Sequence, residues 1–458
     1  VNIESNITEV TLILEINENK SLNLGQKEFI LCHKINLLKK LLMNRSLTMN
    51  GVTWPRIVSF FSGLGMAVAS VLTVQHFFLA NYPESIFEGS FCDISAFFNC
   101  DSSAFSSISQ VSGVPIGLFG FIVGALVMMG AVYPSKEFER TNSFISLVNI
   151  IGVFFLFLYS IFINQSLCLF CLGYYVFSFL SFILFFVFSQ TNKKGIFSRF
   201  FHPSFKMLFT FALIMALASY GMIEYHETKK EAQKAVAVRV VKQFYELPVV
   251  GNPSFISPYW TVRSTEVFEE APVHIVEYGD YLCSDCLYLE QQFNRLKEEF
   301  SGKVNIAFQF FPLEEECNRV VDKDIHPGAC ELAYYAAADP GQFQVIHDEI
   351  FANFNTARSD HQWRKELAQR YGVYELAQDP SVQEIVNLII NTGREYEKTS
   401  DQYEYGIRST PTMIINGRMV IGTLTYEQMR ALFQALVEEH EGRKKFIENW
   451  VPTKLSKK

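Results

Sequence analysis

The chain has 458 residues, room for two or three domains, and a formal net charge of −8 that offers no footprint for nucleic acid. Charged residues make up 19% of it, and phenylalanine occurs 44 times. The apolar excess is concentrated between Trp54 and Tyr225, so a membrane part and a water-soluble part are expected.

Residues 1–50 are rich in Asn, Leu and Lys and lack the tripartite pattern of a signal peptide. Two readings stand for them. Either translation starts at Met49 and residues 1–48 are an extension, or residues 30–43 form a short amphipathic cytosolic helix. Five apolar stretches follow, at 57–80, 114–133, 143–163, 167–190 and 205–223. Each is apolar on all faces and spans a hydrocarbon core that takes about 20 helical residues. The fifth is the weakest, being short and preceded by Lys206.

Lys39, Lys40, Arg45 and Arg56 precede the first span, and Lys136 and Arg140 lie between the second and third. Lys193, Lys194 and Arg199 lie between the fourth and fifth. The 81–113 loop has no Lys or Arg but carries Glu84, Glu88, Asp93 and Asp101. Positive charge stays inside, so the N-terminus is cytosolic and the C-terminal domain lies outside.

Residues 224–270 read as a charged connector, helical at 229–245. A soluble α/β domain follows, with strands at 273–278 and 304–311 and helices at 283–300, 330–371 and 382–397. A hairpin pairs 412–415 with 418–421 through Asn416-Gly417, and a final helix covers 426–439.

Eight of the nine cysteines form sequence-local pairs, all on the outer, oxidising side. Cys92 and Cys100 lie in the outer loop, and Cys168 and Cys171 open the fourth span. Cys283 and Cys286 follow a strand, and Cys317 and Cys330 come later in the soluble domain. Cys32 alone is cytosolic.

Cys283-Ser-Asp-Cys286 at a helix start favours thiolate through the helix dipole, with the first cysteine exposed and attacking and the second resolving. A zinc site would need a second CxxC or a His pair at fitting spacing, and Cys317 and Cys330 do not match; no metal is expected. Asp285 puts negative charge beside the thiolate and should raise the Cys283 pKa. In the membrane half, Cys168 and Cys171 are i, i+3 and share a helix face, with Ser166 placed to cap the helix. Gly120 and Gly124 form a GxxxG suited to bundle packing. Cys317 and Cys330 flank 318–329 and are expected to form a structural disulfide worth about 2–4 kcal/mol, a relay role being the alternative.

Val276-Glu-Tyr-Gly-Asp-Tyr-Leu-Cys-Ser-Asp-Cys and Ser409-Thr-Pro-Thr resemble the active-site strand and cis-proline loop of DsbA-like thioredoxin-fold proteins, over about 272–439. The resemblance implies a cis Thr410-Pro411 peptide beside Cys283 that binds substrate backbone. It also implies that Glu277 is the buried carboxylate that moves protons beneath the disulfide; the plain alternative is an ordinary strand residue. Phe91-Cys-Asp, Asn99-Cys-Asp-Ser-Ser-Ala-Phe-Ser-Ser, Gly113-Val-Pro-Ile-Gly-Leu-Phe-Gly and Leu167-Cys-Leu-Phe-Cys-Leu-Gly-Tyr-Tyr, in that order, resemble the vitamin K epoxide reductase family over about 58–190. That resemblance implies an active pair, Cys168 and Cys171, with Cys171 facing a quinone. It makes Cys92 and Cys100 a shuttle pair and puts Ser106 and Tyr175 near the quinone head group. The plain alternatives are that Ser106 satisfies loop backbone and Tyr175 sits in the interfacial aromatic belt.

The expected fold is an all-α transmembrane bundle of five spans, a four-helix catalytic bundle plus a linking span, followed by an α/β thioredoxin-like domain with a helical insertion. The expected parts are an extension at 1–50, a transmembrane domain at 51–200, a fifth span at 201–226 and a connector at 227–270. The thioredoxin-like domain takes 271–440 and a tail 441–458. The expected activity is a quinone-dependent thiol oxidoreductase of the inner membrane, its soluble domain periplasmic. It takes electrons from secreted thiol proteins and passes them to ubiquinone or menaquinone. The competing reading is a reductive relay feeding an isomerase-like domain, which would need thiols reachable from the cytosol; there only Cys32 is found, without a partner.

Overall fold

A computed structural model of the chain describes residues 54–84, 97–188, 201–399 and 403–442. The expectations for residues 1–50, Cys32 and Cys92 fall outside the described residues.

Helix α1 (Trp54–Asn81) runs 28 residues without a Lys, Asp or Glu. A short helix, α2 (Cys100–Phe105), follows. Then Gln110–Val111 (β1) and Val114–Pro115 (β2) pair antiparallel around Ser112 and Gly113, whose φ values of 50° and 83° suit a primed hairpin turn. That hairpin takes up the start of the apolar run predicted at 114, so helix α3 (Ile116–Val132) begins after Pro115 and is 17 residues long. Helices α4 (Lys136–Phe162), α5 (Leu169–Phe188) and α6 (Phe205–Glu246) complete the N-terminal half. Among the described residues four helices, α1, α4, α5 and α6, are long and apolar enough to cross a bilayer; α3 is apolar but shorter.

Helix α1 packs against α3 and α5 around Met66, Ala69, Val123, Leu126 and Tyr174. The approach is close. A Cβ on Gly120 would stand 2.6 Å from the Ser70 hydroxyl, and one on Gly124 would stand 2.8 Å from the Ala67 backbone nitrogen. The Gly120/Gly124 pair therefore serves packing inside the bundle.

Helix α6 departs most from expectation. The weak span and the connector helix are one helix of 42 residues, about 63 Å long at 1.5 Å per residue. No Pro or Gly interrupts residues 222–246, and Pro248 stops it. Its first half leaves Phe205, Phe209, Leu213 and Leu217 exposed, as a lipid-facing surface would. Its last turns send Val236, Val240, Val241 and Phe244 into the core of the soluble domain.

That domain is built on a five-stranded sheet of order β3-β5-β4-β6-β7, from Trp260–Val262 (β3), Val273–Gly279 (β4), Val304–Phe310 (β5), Thr412–Ile415 (β6) and Arg418–Ile421 (β7). β4 and β5 are parallel and the other pairings antiparallel. Helix α7 (Ser284–Glu299) links the parallel pair, and α13 (Tyr426–His440) ends the domain. Between β5 and β6 lies the helical insertion: α8 (Ala329–Ala337), α9 (Phe343–Ala352), α10 (Phe354–Ser359), α11 (His361–Arg370) and α12 (Pro380–Thr392). The insertion helices and the last turns of α6 bury opposite faces of the sheet. Asn416 and Gly417 turn the β6–β7 hairpin with φ of 44° and 77°, as their residue types predict. Three-residue β3 is the strand that periodicity missed.

Candidate active site

In the soluble domain, Cys283 caps helix α7 and Cys286 lies in its first turn. Neither is in a disulfide. The Cys283 thiol donates to the Thr410 carbonyl at 3.5 Å, and the Thr410-Pro411 peptide is cis. Pro411 thus stands beside the dithiol. The Asp280 backbone N–H donates to Cys286 Sγ at 3.4 Å.

Glu277 lies in β4, between Phe308 of β5 and Met413 of β6. It is 1% exposed, and its Oε2 has no hydrogen-bond partner among the described residues. Burial pushes its carboxyl well above the usual range, and Glu290 adds to the rise. Burial likewise pushes the Cys286 thiol up, helped by Cys283 and by the charge of Glu277. Two acids that hold their protons more tightly than usual thus sit beneath an exchange site, which suits holding and passing a proton.

One expectation fails here. Cys283 was read as exposed, yet it is 1% exposed. Cys283 belongs to the soluble domain's core, and the membrane half packs on its helix. Asn99 Nδ2 donates to the Ser284 hydroxyl at 3.0 Å, and the Phe105 ring stacks on Tyr288 at 4.4 Å and 11°.

In the membrane half, α5 begins at Leu169, so Cys168 stands at the turn before it and Cys171 in its first turn. The Leu172 N–H bonds to the Cys168 carbonyl at 2.9 Å. Ser166 does not cap this helix. Its hydroxyl donates to the Ser102 hydroxyl at 2.9 Å and accepts from Asn164 Nδ2 at 2.8 Å, tying α2 to the fourth span. The Leu167 N–H to Phe97 carbonyl bond of 2.6 Å adds a second tie. Asn99 caps α2 by accepting from the Ser102 N–H at 2.8 Å. Cys100, 1% exposed and disulfide-bonded, packs on Cys168 with Phe170 and Cys171 beside it. Helix α2 therefore touches one dithiol through its cap and the other through its first residue.

Below Cys171 opens a cavity of about 270 Å³, lined by Ser106, Tyr175, Thr73, Asn149 and Tyr174 among further hydroxyl-bearing and apolar residues. Both residues expected near a quinone, Ser106 and Tyr175, face it. Ser106 also donates to the Ser103 carbonyl at 2.8 Å, the loop role named as its alternative. The mostly apolar wall, its few hydroxyls and the adjoining thiol fit a flat ring with polar edge atoms.

Cys317 and Cys330 form a disulfide with an S–S distance of 2.03 Å. The loop it closes is wired to the exchange site. His326 Nδ1 meets Asp280 Oδ2 at 2.9 Å, and Arg408, just before the cis-proline loop, donates to the Val320 carbonyl at 2.7 Å.

Residues 56–186 match the vitamin K epoxide reductase family, and residues 268–435 match thioredoxin. The chain joins a vitamin K epoxide reductase family domain to a thioredoxin-like domain. The thioredoxin-like domain follows the epoxide reductase domain on the rigid α6, and the two dithiols described above fall one in each. Among curated proteins, a probable disulfide bond formation protein D of Bacillus cereus is 35% identical over 88 residues, 19% of this chain and 38% of that one. A Na(+)/H(+) antiporter NhaA 1 of Salinispora arenicola is 27% identical over 177 residues, 35% of this chain and 23% of that one. The chain spans less than a quarter of the length of the antiporters it matches. Among solved structures, oxidised BdbD from Bacillus subtilis aligns at 18% identity and a TM-score of 0.25, over 42% of this chain and 98% of that one. A periplasmic thioredoxin-like protein from Salmonella enterica serovar Typhimurium aligns at 17% and 0.30, over 41% and 93%.

Sequence reading missed Phe105, Tyr288 and the Asn99–Ser284 bond, a contact across 185 positions that no local pattern encodes. It also passed over His76, an ionisable residue inside an apolar span, which is a signal in its own right.

Proposed function

We propose that this chain is a membrane thiol oxidoreductase that makes protein disulfides outside the cytosol and passes the electrons to a quinone of the ubiquinone or menaquinone type. The observation that carries the reading is α2, which bonds to the thioredoxin dithiol's own helix at Asn99 and packs Cys100 on Cys168. A client thiolate attacks Cys283 of a Cys283–Cys286 disulfide, and Cys286 leaves, taking up a proton that Glu277 helps supply. A second client thiolate then releases Cys283, and the client keeps the new disulfide. The Thr410 carbonyl and Pro411 position the incoming chain against Cys283. The Cys283–Cys286 dithiol next reduces Cys92–Cys100, and that pair reduces Cys168–Cys171. Ser106 and Tyr175, which line the cavity beside Cys171, would hold a quinone, and it would supply the two-electron, two-proton oxidant for the Cys168–Cys171 dithiol. Because α2 docks on the helix that Cys283 caps, clients and the loop take turns at the same sulfur.

The test uses the full chain in lipid nanodiscs with a reduced client protein and a soluble quinone analogue. Loss of quinone absorbance matched by one client disulfide per quinone is the expected result. Reduction of client disulfides by quinol, with no oxidation of dithiols, would replace this reading with the reductive relay.

A further inference from the structure

A buried imidazole–carboxylate pair stands beside the contact of Cys100 with Cys168. His76 Nε2 of α1 lies 2.8 Å from Asp101 Oδ1 of α2, with side chains 7% and 4% exposed. Their contact is not an aligned hydrogen bond, and Asp101 Oδ2 has no hydrogen-bond partner among the described residues. Asp101 directly follows Cys100, which packs on Cys168. The His76 ring lies edge-on to Phe170, inside the Cys168–Cys171 motif, at 6.0 Å.

Burying ionisable groups at the end of a membrane span is costly, and such groups mark function by default. Anchoring α2 does not require them. Neutral bonds already do that: Ser166 to Ser102, Leu167 to Phe97, and Asn81 Nδ2 to the Ala104 carbonyl at 3.2 Å. Imidazole, by contrast, changes charge in the range where thiols exchange.

We propose that the His76–Asp101 pair is the proton carrier for exchange between Cys100 and Cys168. The proposal rests on the relay described above. In the forward step Cys100 gives its proton to the pair, and its thiolate attacks Cys168 Sγ. The Cys100–Cys168 bond forms, the Cys168–Cys171 bond breaks, and Cys171 leaves with the electron pair. The thiolate of Cys92 then attacks Cys100, the Cys100–Cys168 bond breaks, and the pair returns its proton to the departing Cys168. The loop ends as a disulfide and the membrane pair has gained two electrons. Among the described residues, the titratable groups near His76 include Asp101 on α2 and Cys168 at the start of α5. On α6, His226 stands against the neighbouring Phe77 and bonds to Tyr82.

The experiment uses the full chain carrying Cys171→Ser, in which Cys168 attacks the loop disulfide and stays bonded to Cys100. Rapid alkylation and peptide mapping read the rate of trapping from pH 6 to 9. His76→Gln is expected to slow trapping at pH 7 by tenfold or more and to approach the parent rate at pH 9, where thiolate forms unaided. His76→Lys, which keeps a positive charge for Asp101 but does not titrate near neutrality, is expected to stay slow at pH 7. Asp101→Asn, nearly isosteric, gives an independent reading if a His76 variant folds poorly, and is expected to show the same slowing. Parent rates across the whole range in all three variants would overturn the proposal. So would full rescue by His76→Lys at every pH, because the pair would then be a latch only. A parent that traps Cys168 with no loop cysteine would remove the relay itself, and this proposal with it.

Discussion

In the membrane half, Phe154, Phe155, Phe205 and Phe209 turn their rings outward; in the soluble half, Phe308, Phe310 and Phe311 are fully enclosed. The same side chain answers to two solvents, so hydrophobicity alone says nothing about which face is the core. Polar burial separates the halves more sharply. The soluble domain buries Glu277, Asp280, Glu290, His326 and His347, and many of these are plain members of a hydrogen-bonded interior. In the described part of the bundle the buried carboxylate and imidazole side chains of α1 to α5 are Asp101 and His76, and both sit at the exchange site. A buried charge therefore carries more functional information in the half where water is scarcer.

That contrast can be broken at several points. The largest effect is expected from Cys171→Ser, which should take quinone reduction to background with any donor. Cys283→Ser should do so only with protein clients. A small dithiol would still reduce the loop pair and drive the membrane half. Equal loss with both donors would mean that the halves do not work in series as drawn.

The two halves should also fail separately when their packing is disturbed. Cys317→Ser with Cys330→Ser should lower the stability of the thioredoxin-like domain by about 2–4 kcal/mol while quinone reduction continues. Complete loss of transfer in folded protein would move that pair into the relay. Gly124→Leu should do the reverse, costing the bundle about 1–3 kcal/mol by overpacking against Ala67 and Gly63, with the soluble transition unmoved. Differential scanning calorimetry in detergent would resolve the two transitions.

Glu277→Gln tests the buried acid. The folded carboxyl is pushed up by burial, so the native state binds the proton more tightly than the unfolded chain. The wild type thus loses stability as pH rises from the ordinary carboxylate range through the raised value. The variant should escape that loss, so it gains stability relative to wild type with rising pH while exchange at Cys286 slows. A constant stability difference across pH 4 to 9 would show that the group does not titrate there.

The smallest effect is expected from Phe105→Ala. An aromatic pair is worth about 0.5–1.5 kcal/mol, so losing the stack on Tyr288 should loosen the docking of α2 by a few-fold. The readout is faster alkylation of Cys283 with little change in thermal stability.

The features legible from sequence were the locally encoded ones. CxxC at a helix start, the Asn416-Gly417 turn and the apolar spans each declare themselves within a few residues. The cis Thr410-Pro411 peptide was expected from resemblance and is present. The rest depends on distant packing. Cys283 is buried, and the residue beside it, Ser284, bonds to a loop 185 positions upstream. The strand at Trp260–Val262 is three residues long and takes its identity from β5. Helix α6 was divided in two because a hydropathy change looks like a boundary, although nothing in its backbone chemistry stops a helix there.

That undivided helix has a consequence for rate. A flexible tether would leave the donor thiols searching a volume, at an effective concentration that falls as the linker lengthens. Helix α6 ends inside the core of the domain it carries, so the search is largely removed and the encounter is built in. Transfer from Cys283 to the loop should then proceed as a unimolecular event, indifferent to how sparsely the protein is scattered through its membrane. The concentration-dependent part of turnover would be left to the two diffusing reactants, the client outside and the quinone within the lipid.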